Sequence, residues 1–243
     1  SGAIACPSWV RALDPDNPYR KQIGIQLYTL RNEINSDVAA TLKAVADAGY
    51  KQVEPYGFPN ADAMIDQAKA NGLAVHSSHI NADGILYPDR DGVPSFESLL
   101  EKANEQGLTH LVVPYLGGDL RDTLDKYKRV ADQCNAAAEK ASAAGIQLAY
   151  HNHAFEFKPF DSGHSGFDVF MERFSNQMKF EIDVFWVEVA GVSAAELISK
   201  LSGRVTQLHL KDLAASAKPP QYDSIPKEAF KELGNGVIKM EPI

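Results

Sequence analysis

A repeated alternation of apolar strands and helical segments constrains the fold of this chain more than any other feature. From residue 21 onward seven short apolar runs occur, and most begin a few residues after a glycine that ends a helix-like segment. Glycine closes the last turn of a helix because it readily adopts the left-handed conformation. The predicted strands cover residues 23–29, 51–57, 73–79, 110–116, 146–152, 179–185 and 205–211. Such alternation is typical of a parallel sheet built from βα units.

The segments between the strands carry apolar residues at helical spacing. In the first, Val38, Leu42 and Val45 fall on one face of a helix. Ser36 or Asp37 is the expected N-cap of this helix.

The unbroken series of units favours a closed barrel over an open sheet. No GxGxxG follows the first strand, so a dinucleotide-binding open sheet loses support. We therefore predict an α/β fold, a TIM (β/α)8 barrel, formed by a single domain over residues 21–243. After the seventh strand come a polar, proline-containing loop and the segment KEAFKELGNGVIKMEPI, so we expect the eighth unit to be truncated or incomplete.

Charge and hydropathy restrict the partners of the protein. The net charge of −8 argues against a surface built for nucleic acid, which requires a basic face. No run of 18 apolar residues occurs, so we expect no membrane span. Residues 1–20 form a predicted N-terminal arm whose start, SGAIACPSWVRAL, resembles the tail of a twin-arginine export signal. This predicts a periplasmic location, with the cytoplasm as the alternative.

Polar side chains collect at the ends of the predicted strands. In a βα barrel the active site is built at these carboxyl ends, and only closure of the barrel brings such distant residues together. The residues at these positions are Tyr28, Arg31, Glu54, His79, Tyr115, His151, His153, Glu156, Asp183, Trp186, His209 and Lys211.

Several of these residues have a structural alternative. Asp183 and His209 end apolar strands, and a buried carboxylate and imidazole need partners, which a divalent cation supplies. Glu54 could serve the site or simply form a cap or salt bridge, and Lys211 could hold substrate oxygens or face solvent. Trp186 could be a core residue or a wall on which a sugar stacks.

The segments HNHAFEF, DVFWVEVAG and GRVTQLHLKD, with IGIQLYTLR and AGYKQVEPYGF earlier in the chain, resemble the xylose isomerase-like barrel superfamily, in its sugar phosphate isomerase/epimerase branch. The resemblance implies one divalent ion (Mn, Mg or Zn), held by an acid, an aspartate, a histidine and a glutamate from strands five to eight. Asp183 and His209 match the second and third ligands. His151 stands where the first is usual, so either it binds the metal or His153 or Glu156 reaches in. Glu241 is the only late carboxylate.

The chemistry implied by the resemblance is enolisation of a keto or aldo sugar, giving isomerisation or epimerisation. The expected metal ligands are His151, Asp183 and His209, and the expected catalytic residues are His151, Glu156 and Lys211. The expected substrate-binding residues are Tyr28, Arg31, Glu54, His79, Tyr115, His153 and Trp186.

Three other functions remain open from the sequence. A lyase or dehydratase acting on a keto sugar, an inosose or a 3-keto-glycoside would use the same residues. Apurinic endonuclease activity requires a basic groove, against which the net charge counts. A non-catalytic carbohydrate-binding barrel is the third alternative. A homodimer also stays open, because dimers are common among such barrels.

Overall fold

The computed structural model describes residues 22–241 and 243, so the predicted arm over residues 1–20 lies outside the described part of the chain. Its strands are β1 Gly24–Gln26, β2 Gln52–Glu54, β3 Ser77–His79, β4 His110–Val113, β5 Gln147–His151, β6 Lys179–Asp183, β7 Val205–His209, β8 Asp212–Leu213 and β9 Phe230–Lys231. Its α-helices are α1 Arg31–Ser36, α2 Val38–Asp47, α3 Asp62–Ala70, α4 Asp83–Leu86, α5 Phe96–Gln106, α6 Leu124–Ala143, α7 Gly166–Arg173, α8 Val184–Val189 and α9 Ala194–Lys200. Short 3-10 helices cover Leu27–Leu30, Gly118–Leu120, Phe155–Phe157 and Lys227–Ala229.

The first seven strands run parallel and in chain order. β1 pairs with β2, and β3 to β7 form one five-stranded sheet. The parallel bridges Gln52 to Ala74 and Phe58 to Ile80 join β2 to the chain at β3. The predicted (β/α)8 barrel fold is thereby confirmed for its first seven strands and the helices between them.

The chain after β7 leaves the parallel series. β8 and β9 pair antiparallel with each other, and no eighth parallel strand follows β7 among residues 210–241. Leu208 and Leu210, at the end of β7, consequently remain 38% and 44% exposed. This arrangement agrees with the expectation of an incomplete eighth unit.

Local signals in the sequence account for the helix ends. Five glycines that precede predicted strands all have positive φ, between 73° and 96°: Gly49, Gly72, Gly107, Gly145 and Gly203. Asp37 is the N-cap of α2, since its carboxylate accepts the backbone N–H of Ala40 at 3.0 Å. Leu42 and Val45 of that helix are buried, as the helical spacing predicts.

The strands separate an apolar outer layer from a polar interior. Side chains alternate across a strand, so residues two apart share a face. Leu111 and Val113 belong to the main core between sheet and helices. Burying one such side chain contributes about 1.5–3 kcal/mol. The other face of β3, β6 and β7 carries the pairs Ser77/His79, Glu181/Asp183 and Gln207/His209.

Among the described helices, none is both long enough and apolar enough to cross a membrane.

Candidate metal centre and active site

Three imidazoles and one carboxylate meet inside the barrel at the carboxyl ends of its strands. His79, His151, Glu181 and His209 each offer a ligand atom, and the four atoms lie within 4.8 Å of one another. We call this group the imidazole–carboxylate cluster. Glu181 Oε1 lies at its centre, 2.8 Å from His79 Nε2, 2.9 Å from His151 Nδ1 and 3.3 Å from His209 Nε2.

Glu54, from β2, forms a second carboxylate layer beside the cluster. Its Oε2 lies 2.8 Å from His209 Nε2 and 3.3 Å from His79 Nε2. Its Oε1 accepts the hydroxyl of Ser77 and the side-chain amide of Gln207, the latter at 3.1 Å. The predicted substrate-binding residues Glu54 and His79 therefore lie together, against the cluster and within it respectively.

Burial and mutual charge shift the pKa values of these groups in opposite directions. Burial raises the pKa of Glu181 well above its usual range, and the neighbouring Glu54 adds to the effect. Burial by itself also raises the pKa of Glu54, but His79 and His209 hold it well below its usual range. Burial lowers the pKa of His151 well below its usual range, with help from His209 and His79. Burial by itself also lowers the pKa of His209, but Glu181 and Glu54 raise it above its usual range. His151 is therefore held in the neutral form that binds a metal ion.

The donor set fits a divalent cation. Glu181 Oε2 is buried and has no hydrogen-bond partner, which is costly for a carboxylate oxygen unless a cation or donor satisfies it. Imidazole nitrogen and carboxylate oxygen at such separations are typical ligands of zinc and related ions.

Asp183, a predicted metal ligand, lies beside the cluster and faces the opposite nitrogens of two of its histidines. Its Oδ2 is 3.8 Å from His151 Nε2 and 3.9 Å from His209 Nδ1, and it forms an ion pair with Lys211. Its Oδ1 caps α8 by accepting the backbone N–H of Trp186. The backbone N–H of Asp183 donates to Asn152 Oδ1 at 2.9 Å.

Four rings pack together beside the cluster. The ring of His153 lies 5.3 Å from that of Tyr115, 5.5 Å from that of Phe155 and 5.3 Å from that of Trp186. We call these four residues the aromatic wall. It adjoins the cluster because His153 and His151 have ring centroids 5.1 Å apart. Three predicted substrate-binding residues, Tyr115, His153 and Trp186, thus lie together.

Glu156, a predicted catalytic residue, is fully buried behind the wall. Its Oε1 accepts the hydroxyl of Tyr150 at 2.7 Å, and its Oε2 accepts the backbone N–H of His153 at 2.9 Å. Burial raises its pKa to about 7. This placement favours a positioning role, holding the chain after β5, over direct contact with a substrate.

Tyr28 and Arg31 lie apart from this constellation. β1 stops at Gln26, whose side chain accepts the Tyr28 N–H and turns the chain into a 3-10 helix. The Arg31 guanidinium stacks 4.6 Å over the Tyr28 ring, which meets Tyr56 edge-on. Within the described chain, no hydrogen bond, ion pair or ring contact joins either residue to the cluster or the wall.

Glu181 is the site residue that our sequence analysis missed. A signal for it existed: a glutamate inside the apolar run FEID, two residues before Asp183, shares the inward face of the strand. A charged side chain in a buried strand requires a partner.

Comparison with known proteins places this geometry in a family. The family model described as xylose isomerase-like TIM barrel matches residues 42–243. A sugar phosphate isomerase/epimerase structure from Parabacteroides distasonis is 26% identical, with a TM-score of 0.65, covering 84% of this chain and 83% of that one. No curated protein gives a significant match.

Two solved structures with lower identity share the fold alone. One is a 3-keto-D-glucoside 4-epimerase from E. coli, 16% identical, with a TM-score of 0.56 and coverage of 76% of this chain and 79% of that one. The other is a probable 3-DHS dehydratase from Bacillus anthracis, 11% identical, with a TM-score of 0.62 and coverage of 90% and 85%.

Proposed function

This chain belongs to the xylose isomerase-like TIM barrel family, and from that membership and its site we propose that it is a metal-dependent enzyme that isomerises or epimerises a small sugar by enolisation. The imidazole–carboxylate cluster carries the proposal, because it holds a carboxylate oxygen buried without a partner at the strand ends. A buried carboxylate oxygen without a partner is costly, so its place among three imidazoles supports the binding of a cation there.

We propose that His79, His151, Glu181 and His209 hold one divalent ion. Such an ion would supply a Lewis acid that polarises a substrate carbonyl and stabilises the negative charge that develops on its oxygen. Three imidazoles among four ligands favour zinc or manganese over magnesium, which prefers oxygen ligands. His79, predicted as a substrate-binding residue, would on this basis be a ligand, while Asp183 would act beside the ion through Lys211.

Lys211 is the best placed of the three predicted catalytic residues to meet a substrate. Its side chain is 31% exposed, whereas that of His151 is 5% exposed and Glu156 is fully buried. The ion pair with Asp183 holds the Lys211 ammonium in place beside His151 and His209. We propose that this ammonium donates a hydrogen bond to the substrate oxygen on which negative charge develops.

The aromatic wall supplies the surface on which the sugar would lie. Trp186 and Tyr115 present ring faces and edges next to the cluster, and rings of this kind pack against the apolar C–H face of a sugar while excluding water.

Exchange of a sugar C–H proton with solvent deuterium, followed by NMR with a panel of ketoses and 3-keto-glycosides, tests the proposal. We expect exchange in the metal-loaded protein and a loss of about 100-fold in Lys211→Gln, as for the removal of one oxyanion donor. Lys179→Gln is the matched control, because Lys179 begins β6 at the other end of the barrel and binds the Gly203 carbonyl.

The products of the exchange separate the two enzymatic readings. Exchange with retention of all atoms of the sugar indicates an isomerase or epimerase. Exchange accompanied by loss of water or aglycone indicates the lyase. Binding of sugars with no exchange by metal-loaded protein would contradict the proposal and favour the carbohydrate-binding barrel.

A further inference from the structure

Arg121, in the loop after β4, packs against the aromatic wall without an acidic partner. Its guanidinium carbon lies 3.7 Å from the centroid of the Phe155 ring and 5.7 Å from that of Tyr115. Its Nη2 donates to the Tyr115 hydroxyl at 3.3 Å. Its Nε is buried and has no hydrogen-bond partner. The side chain is half-buried, and within the described chain its guanidinium has one hydrogen-bond acceptor, the Tyr115 hydroxyl.

The carboxylates nearest to Arg121 in sequence are engaged elsewhere. Asp119 accepts the hydroxyl of Tyr87 at 2.7 Å, and Asp122 pairs with Lys126 at 2.6 Å. No carboxylate lies within 4.0 Å of the Arg121 guanidinium in residues 22–241. Arg121 acts electrostatically on the buried Glu156 but forms no ion pair with it. A half-buried cation without an ion-pair partner gains by pairing with a ligand that supplies an anion.

The other ring-stacked arginines of the described chain have acceptors. Arg90 stacks 3.8 Å over Tyr87 and lies 3.7 Å from an Asp83 oxygen. Arg31 donates to the Tyr28 carbonyl at 2.8 Å. Arg204 donates to the Met171 carbonyl at 2.7 Å, although its Nε, like that of Arg121, is buried without a partner among the described residues. Ring stacking therefore does not by itself explain an arginine that lacks both a carboxylate and a carbonyl.

Arg121 contacts the aromatic wall that adjoins the cluster. The aromatic wall runs from His153, beside the cluster, to Phe155 and Tyr115, against which Arg121 packs. A sugar that spans the wall with its reacting carbons at the cluster would present its far end to the guanidinium.

We propose that Arg121 is a specificity-determining residue that binds an anionic group, a carboxylate or a phosphate, at the far end of the sugar. The inference rests on the proposed function, because it takes the wall as the sugar site. Guanidinium is suited to the task, since its planar fork binds the two oxygens of such groups at once. Phe155 fixes the plane of that fork and shields it from water.

Isothermal titration of the metal-reconstituted protein with two pairs of probes tests the inference. D-glucuronate against D-glucose examines a carboxylate, and D-fructose 6-phosphate against D-fructose examines a phosphate. In at least one pair we expect the anionic sugar to bind about tenfold or more tightly than the neutral one, the range for a charge-assisted contact. The pair with the larger ratio identifies the anion.

Arg121→Gln should reduce the preference to less than about twofold, because it removes the charged fork. Arg121→Lys should keep only part of it, because a lysine lacks the planar fork. Arg90→Gln, which alters a stacked arginine already paired with Asp83, should retain the full preference. An equal preference in wild type and Arg121→Gln, or none in the wild type for either pair, overturns the inference.

The two proposals fail separately. Proton exchange into a neutral sugar, with no anion preference, would remove the role of Arg121 and leave the enolisation proposal intact. An Arg121-dependent preference without any proton exchange would remove the enolisation proposal and leave the role of Arg121 intact.

Discussion

Two buried carboxylates of this protein, Asp212 and Glu181, have opposite surroundings. Asp212 is 1% exposed and accepts four backbone N–H groups, from Leu213, Gly234, Gly236 and Ile238, at 2.9–3.1 Å. Glu181 is fully buried, meets imidazoles and a second carboxylate, and has one oxygen with no partner. The fold therefore satisfies every oxygen of Asp212, whereas one oxygen of Glu181 can be satisfied only by a bound ligand.

The pKa shifts follow the same division. Burial by itself raises the pKa of Asp212, but its backbone hydrogen bonds hold the value below its usual range. Burial raises the pKa of Glu181, and Glu54 reinforces the shift. Asp212 is thus stabilised by the fold, and the unfavourable surroundings of Glu181 support the proposal that it serves a metal site.

Among substitutions of these carboxylates, we expect the largest loss of stability at Asp212. Asp212→Asn presents an amide N–H₂ to two of the four backbone donors and leaves them unsatisfied, which lowers the free energy of unfolding by roughly 3–5 kcal/mol. Urea unfolding of the metal-free protein measures it.

The matched substitution at the other carboxylate should behave differently. Glu181→Gln keeps the shape of the side chain and removes an acid whose pKa burial already raises, so the metal-free stability should change much less than in Asp212→Asn. Equal destabilisation by the two substitutions would remove the distinction between the two carboxylates.

Glu156 combines features of the other two carboxylates. It has hydrogen-bond partners, as Asp212 does, and a raised pKa, as Glu181 does. Its pKa rises from the ordinary 4.5 to about 7 on folding, so the folded state binds the proton more tightly. Its contribution to stability is complete below pH 4.5 and is lost as the pH rises to 7, by about 3 kcal/mol.

Glu156→Gln should abolish this loss while keeping an acceptor for the Tyr150 hydroxyl. The difference in unfolding free energy between wild type and variant, measured from pH 4.5 to pH 8, checks it. A difference that does not change with pH would show that Glu156 titrates as it does in the unfolded chain.

The smallest effect expected concerns Asp183, which the sequence predicts as a metal ligand. In the structure its carboxylate faces Lys211 and the Trp186 N–H, with histidine nitrogens at 3.8 and 3.9 Å. If Glu181 is the ligand, Asp183→Asn should weaken metal affinity by about tenfold, as for a supporting residue. A loss as large as that of Glu181→Gln, in a competition titration against a chelating dye, would make Asp183 a ligand.

The sequence predicts the fold well because its signals are local. The strand and helix alternation, the helix-ending glycines and the Asp37 cap depend on neighbours within a few residues. It also predicts that His151 and His209 converge, because closure of a parallel barrel brings any two strand ends together.

The sequence predicts less of the site, since the remaining contacts depend on the register between strands. Glu181 occupies an apolar run, and only the pairing of β6 with β5 and β7 places its carboxylate below the imidazoles. Tyr28 and Arg31 lie away from the cluster because the Gln26 side chain accepts the Tyr28 N–H and so ends β1 early. Arg121 has no carboxylate partner in the described chain because Asp119 bonds to Tyr87 and Asp122 pairs with Lys126.

The most direct test of this account is the metal content of purified protein, measured by elemental analysis beside Glu181→Gln and Asp212→Asn after identical reconstitution with zinc or manganese. The account predicts about one equivalent in the wild type and in folded Asp212→Asn, and less than a tenth of that in Glu181→Gln. Full metal content in Glu181→Gln, or none in the reconstituted wild type, would contradict it.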